Sequence, residues 1–392
     1  MIVINKPILE KFEDGNVVSS IIEMNDEKRK LWFKISNLSE DLILIEQTDA
    51  FLIAILFLAL KKGENILIKG TISHKLLHNV NNYLIGALCL SNSSFKPIHV
   101  ETEKLSETDR CIKKVGATGI SCGVDSFATY FKHNQDKKSF KIEYLTFFNV
   151  GSHGDFGGEK AREVFNNRFN QANQFAKDVN LSIIKIDSNL SEFLRFNFLQ
   201  TNTLRNVSCV LLLQKVVKNY YLASKNRFDT FKLNPEDNQD FDTLILPLVS
   251  TESTNIHSAV SNFQRTERTY FISNFDLTYI HLDVCTNPSA SGNKNNCSIC
   301  SKCMRTQLTL DLYGRLKNYT AVFHLENYYE RKDKFIAEIY NTRKLDPFSA
   351  DIYELIVKKE QFQLKHKILS KCLKIRKSYV NSKKKLKKIL RK

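Results

Sequence analysis

The sequence predicts an α/β fold: a parallel β-sheet with helices on both faces, preceded by an α+β domain and followed by a helical basic tail. Between residues 112 and 315, apolar runs of strand length alternate with amphipathic stretches of helical length. That is the pattern of β-α-β units with right-handed crossovers. At 42% hydrophobic and 26% charged, the 392 residues can bury a large core, which excludes wholesale disorder. The charge is also uneven: of the net +16, +14 falls in residues 358–392, where fifteen Lys or Arg meet one acid, Glu360. The remainder is nearly neutral, so the basic balance describes a tail and not the body.

Taken in order, residues 1–110 read as the α+β domain. Alternating segments at 16–22 and 30–35 suit strands, while 49–60 and 73–90 carry helical spacing. The longest apolar run, 51–60, is about half of the roughly 20 residues a membrane span needs. Lys61 and Lys62 follow it at once, so it reads as a buried core helix. No motif in this region carries chemistry, and a structural or substrate-shaping role is expected. The first eleven residues lack a basic region followed by an apolar segment and a cleavage site, so no export is expected. Of nine cysteines, four fall within 285–303 and five are scattered. That distribution argues against a disulfide framework and for a reducing cytoplasm.

The expected nucleotide-binding domain spans 111–315. Its strands are placed at 115–120, 142–150, 181–186, 220–223 and 277–284, and its helices at 126–133, 159–179, 205–218 and 265–274. Parallel sheets bind ligands just beyond the carboxyl ends of their strands. The polar stretch 234–242 reads as an exposed excursion. Residues 316–357 form a helical extension, and 358–392 the basic tail.

The first predicted strand of this domain runs into Gly119, Ile120, Ser121, Cys122, Gly123, Val124, Asp125 and Ser126, and a predicted helix follows. A tight turn of small residues there converges backbone N–H groups and a helix N-terminus on an anion, with the hydroxyls of Ser121 and Ser126 as further donors. It lacks the Gly-Lys-Ser/Thr of the Walker loop. It resembles the Ser-Gly-Gly-x-Asp-Ser signature of the PP-loop ATP pyrophosphatases, matched at Ser121, Gly123, Asp125 and Ser126, with Cys122 where the family has its first glycine. The resemblance implies a Rossmann-like, HUP-type sheet, cleavage of ATP between the α and β phosphates, and Mg2+.

Thr203, Leu204, Arg205 and Asn206 look like the family's Pro-x-Arg-Asn segment, with Thr203 replacing the proline. By that resemblance Arg205 would supply charge to the phosphates and Asn206 would position the ligand or the loop. Asn149 and Gly151 end the second strand, where this fold commonly reads adenine with backbone groups. His153 and Asp155 are possible substrate contacts. Glu252 is a candidate for holding magnesium or a substrate amine, near the polar cluster of Arg265, Glu267 and Arg268.

Cys285, Cys297, Cys300 and Cys303 form the second specific signal. Four thiolates at C-x11-C-x2-C-x2-C satisfy tetrahedral Zn2+ in a closed, structural site. An iron–sulfur cluster is the alternative at this spacing. Joined to the loop and to Arg305, the cluster is similar to the 7-cyano-7-deazaguanine synthase branch, over roughly residues 115–315. The branch implies an ATP-dependent ligase or amidotransferase that adenylates a carboxylate or carbonyl oxygen and then transfers ammonia, free or from a partner, or another nucleophile. A tRNA base-modifying enzyme and a non-catalytic nucleotide-binding module are the competing readings. In the tail, Leu364, Ile368, Leu369, Cys372, Leu373 and Val380 recur at helical spacing among basic residues. This suits an anionic membrane surface, RNA or a solvated face.

Overall fold

The computed structural model of the chain describes residues 1–25, 27–286 and 291–389, with 379–389 in backbone only. It divides into two compact units. One comprises Met1–Ser121 and Thr129–Asn262; the other, Cys122–Ala128 and the chain from Phe263 onward.

The first unit is built on an eleven-stranded, mostly parallel sheet. Its strands are β1 (Ile2–Ile4), β2 (Ile8–Phe12), β3 (Gly15–Met24), β4 (Glu27–Ser36), β5 (Ile66–Ser73), β6 (Val100–Ser106), β7 (Val115–Gly119), β8 (Ile142–Asn149), β9 (Ser182–Ser188), β10 (Val217–Ala223) and β11 (Asn255–Ala259). The order is β11-β10-β7-β8-β9-β4-β3-β1-β5-β6, with β2 paired to β3. Strands β7 to β11 are mutually parallel. The N-terminal strands continue the same sheet, because β4 pairs antiparallel with β9, Phe33 facing Ser188 and Ile35 facing Ile186. Alternation sets this register: Leu31, Phe33 and Ile35 are fully buried and join one core with Ile184 and Ile186.

The apolar run becomes the helix Asp49–Lys62, closed by Gly63 in the left-handed conformation (φ 70°). It is buried nearly all round and packs on the helix Phe198–Leu211. No described helix is long and apolar enough to cross a membrane. The stretch 73–90 is helical, as the helices His74–Asn79 and Ile85–Ser91 flank a π-turn at Val80–Leu84.

Three expectations need correction. Residues 277–284 form no strand: Leu277–His281 is a helix and 282–284 are irregular, and Thr278 turns its hydroxyl onto the Phe275 and Ile272 carbonyls and meets the Tyr319 hydroxyl at 2.8 Å. The fifth parallel strand is β11. The helix expected at 205–218 begins seven residues earlier, at Phe198, where Asn197 caps it by accepting from the Leu199 N–H. It ends at Leu211, and Val217 already belongs to β10. Finally, 234–242 is tied down: Lys225 Nζ lies 2.6 Å from Asp237 and 3.1 Å from Asp240, and Asn238 and Phe241 are buried.

The second unit is helical beyond the cysteine excursion. Its helices include Arg265–Ile272, Ser301–Leu312, Leu325–Tyr329, Lys332–Thr342, Pro347–Lys358 and Leu364–Ile389. The described part of residues 316–389 is thus mostly helical, and residues 390–392 of the tail lie outside the described residues.

Candidate functional site

Strand order first locates the loop. From β7 the chain proceeds outward through β8 and β9, then returns to place β10 and β11 on the other side of β7. The order reverses between β7 and β10, and the loop leaves the carboxyl end of β7 at that point. Cys122 takes φ 57°, the left-handed turn a glycine would favour, and the helix Val124–His133 starts two residues later. The Cys122 side chain is buried, and its carbonyl accepts from Asp283 N–H at 2.9 Å. Burial, reinforced by Asp283, pushes the thiol far above the ordinary range, so it is a packing group and not a nucleophile. Ser126 Oγ donates to the Gly123 carbonyl at 3.1 Å.

Within the second unit, Asp125 is held between two guanidiniums. Arg265 Nη1 binds one carboxylate oxygen, and Arg268 Nη1 binds the other at 3.0 Å. Burial opposes the charged carboxylate, but Arg265 and then Arg268 outweigh it and hold its pKa below the usual range. Arg268 is itself 1% exposed and donates through Nε to the Phe263 carbonyl. Arg305, on the helix Ser301–Leu312, lies with its guanidinium 4.6 Å from the centre of the Phe348 ring. That guanidinium has no hydrogen-bond or ion-pair partner among the described residues. Burial and then the neighbouring Arg265 depress its pKa, against the smaller opposing pull of Asp346 and Asp125. Arg265 and Arg268 are legible in hindsight, since three-residue spacing puts both on one helix face. Nothing local marks Arg305 as their companion.

The first unit treats its candidates differently. Arg205 is 1% exposed and spends its guanidinium inside the protein. Nε donates to Thr201 Oγ1 at 2.7 Å; Nη1 donates to the Val150 and Asp155 carbonyls and to Ser191 Oγ; Nη2 donates to the Phe196 carbonyl at 2.8 Å. Burial lowers its pKa to about 10, with Asp155 acting in the opposite sense. Gly151, at φ 125°, makes room for this brace: a Cβ there would lie 2.7 Å from Arg205 Nη1 and 2.5 Å from the Phe198 ring. Asn149 Nδ2 donates to Asp187 Oδ1 at 2.7 Å, and Asn206 Nδ2 donates to the Asn202 carbonyl at 2.9 Å.

His153 packs its ring against Phe147 and Phe165, and burial lowers its pKa to about 4, so it is neutral at pH 7. Glu252 is no ligand in waiting. It accepts from Ser73 Oγ at 2.5 Å and from the Lys75 N–H at 2.8 Å, so its carboxylate caps the helix that starts at His74.

Cys285, Cys297, Cys300 and Cys303 converge, with all four Sγ atoms within 4.8 Å of one another. Cys300 and Cys303 are 3.4 Å apart, and Cys297 and Cys303 3.9 Å. A tetrahedron of thiolates about 2.3 Å from zinc has edges of about 3.8 Å, so the donor set fits that ion. Backbone N–H groups already point at sulfur: Cys297 to Cys285 Sγ at 3.4 Å and Cys300 to Cys297 Sγ at 3.3 Å. Fully buried Asn296 ties the surround together. It accepts from the Val284 N–H and donates to the Leu282 and Val322 carbonyls. Residues 287–290 of the excursion lie outside the described residues.

Comparison with protein-family models, with curated proteins and with solved structures finds no match to this chain.

Proposed function

We propose that the chain is an ATP-dependent ligase or amidotransferase built on a Rossmann-like, HUP-type sheet. The observation that carries this reading is the loop at 121–126, leaving the sheet where the strand order reverses and running into a helix N-terminus. The charge balance supports it. Arg305, whose guanidinium has no hydrogen-bond or ion-pair partner among the described residues, stands near Arg265 and is a cation that a polyphosphate could meet.

ATP would lie with its phosphates on the N–H groups of Ser121, Cys122, Gly123, Val124, Asp125 and Ser126. A carboxylate or carbonyl oxygen of the substrate attacks the α-phosphorus. An O–P bond forms, the bond from that phosphorus to the bridging oxygen breaks, and pyrophosphate departs. Ammonia, free or delivered by a partner, or another nucleophile then attacks the activated carbon: a bond to the nucleophile forms, the carbon's bond to the phosphate oxygen breaks, AMP leaves, and the proton lost by the nucleophile passes to solvent. The adenylate supplies a leaving group that a carboxylate lacks. Arg265 and Arg305 take up charge developing on the pyrophosphate. Asp125 orients the guanidiniums; with both its oxygens engaged by arginine it does not fit as a magnesium ligand. Arg205 braces residues 150–155 and acts only through them. The four cysteines would hold Zn2+, which supplies rigidity to a closed site.

The test is to incubate the protein with ATP and fractionated small metabolites while following AMP and pyrophosphate. Arg305→Ala should weaken ATP binding about tenfold or more. ATP binding without AMP formation in any fraction would reduce the protein to a nucleotide-binding module, and no ATP binding at all would sink the loop assignment.

A further inference from the structure

The helix Leu364–Ile389 is anchored on one side and bare on the other. Its inner face carries His366, 2% exposed, and Ser370, 3% exposed. Lys365 Nζ and His366 Nε2 lie 2.7 and 3.0 Å from the Asp333 carboxylate, and Asn341 Nδ2 donates to the Ser370 carbonyl at 3.0 Å. These contacts seat it against the helix Lys332–Thr342.

Helical spacing puts Leu364, Ile368, Cys372 and Ile375 in one stripe on the opposite side. Leu364 is 72% exposed, Ile368 57% and Ile375 71%. Arg376 borders the stripe on one side, below Lys365 held by Asp333, Lys367 and Lys374 border it on the other, and Lys371 sits within it. No acid follows Glu360.

We propose that this face binds an anionic lipid bilayer, lying flat with the stripe among the upper acyl chains and the basic residues reaching headgroup phosphates. The pairing of features decides the occupant. Nucleic acid would use the charges but leave three large aliphatic side chains in water, and beyond Phe362 the sequence offers only Tyr379 for base stacking. A second copy of the helix would meet its own like charge. A bilayer uses both, because Lys and Arg stems cover apolar surface while their heads reach outward. A single such helix gives reversible, salt-sensitive attachment.

The full chain is sedimented with vesicles of phosphatidylcholine alone, or with about one-third phosphatidylglycerol. Binding should be at least about tenfold tighter to the anionic vesicles and should fade at high salt. Ile368→Ser with Ile375→Ser keeps every charge yet should weaken vesicle binding about tenfold or more. Its melting temperature should not change, because both side chains are exposed. Leu364→Trp should add fluorescence that shifts to shorter wavelength with anionic vesicles only. The proposal is overturned if the double variant binds these vesicles as tightly as the parent. It is equally overturned if the parent ignores vesicles and binds tRNA instead.

Discussion

At Cys122 the chain pays for its turn in backbone strain: a side chain at φ 57° costs about 1 kcal/mol relative to glycine. The buried thiol returns part of this through packing. Cys122→Gly should therefore keep ATP binding and change the melting temperature by no more than a few degrees. Cys122→Val adds a β-branch where neither the φ angle nor the space tolerates it, and should lower stability by about 2 kcal/mol or more and abolish ATP binding. Calorimetry of the two variants beside the parent checks both. Asp49 is a second residue under tension. It is fully buried, accepting from the Ser73 N–H and from Gln214 Nε2, each at 2.9 Å. Burial dominates, and its pKa rises to about 6 from an ordinary 3.8. The folded protein thus holds this proton more tightly than the unfolded chain does. Its contribution is fully present below about pH 4 and is lost as pH rises through 6, by about 3 kcal/mol in all. Asp49→Asn should gain stability relative to the parent as pH goes from 4 to 7. A difference between the two denaturation curves that stays flat over that range would remove the argument.

The cysteine excursion was legible as an element because spacing alone determines much of a metal site: two C-x2-C steps bring three sulfurs within reach, and any nearby thiol can complete the set. The structure brings all four together. The protein should carry about one zinc per chain by elemental analysis, and iron with visible absorbance would overturn that. Strong chelation at mild pH, or Cys300→Ser, should loosen the helix Ser301–Leu312 and with it Arg305, two residues beyond Cys303. The expected signs are faster amide exchange in that helix and weaker ATP binding together. The stretch 277–284 misled for a physical reason. Its run of Leu, Tyr, Ile, Leu and Val has strand composition, but Asp276 precedes it and Thr278 bonds backward to carbonyls, which closes a helical turn. The true fifth strand, Asn255–Ala259, has only two apolar side chains that are buried, Ile256 and Ala259, and so carries little signal of its own.

Over the whole chain, four of the five parallel strands are legible in local alternation, because each β-α-β unit writes its own pattern. What joins residues 1–110 to them could not be read. The pairing of Phe33 with Ser188 spans more than a hundred residues and leaves no local trace in either segment. Yet that pairing, with the packing of the helix Asp49–Lys62 on the helix Phe198–Leu211, makes the first 110 residues part of the core and not an appendage. A fragment of residues 111–392 would expose the edge of β9 and the apolar side of the helix Phe198–Leu211, surfaces that drive aggregation. It should express insolubly or melt without cooperativity. Residues 107–109, by contrast, form an exposed connection between β6 and the strand β7 region, outside any strand or helix. A chain split there and co-expressed as 1–108 and 109–392 should reassemble, since the break severs no ladder hydrogen bond. Co-purification of the two pieces with a cooperative melt, alongside failure of the larger piece alone, is the expected pair of results. A soluble 111–392 fragment that unfolds cooperatively by itself would show that the shared sheet is not needed for folding.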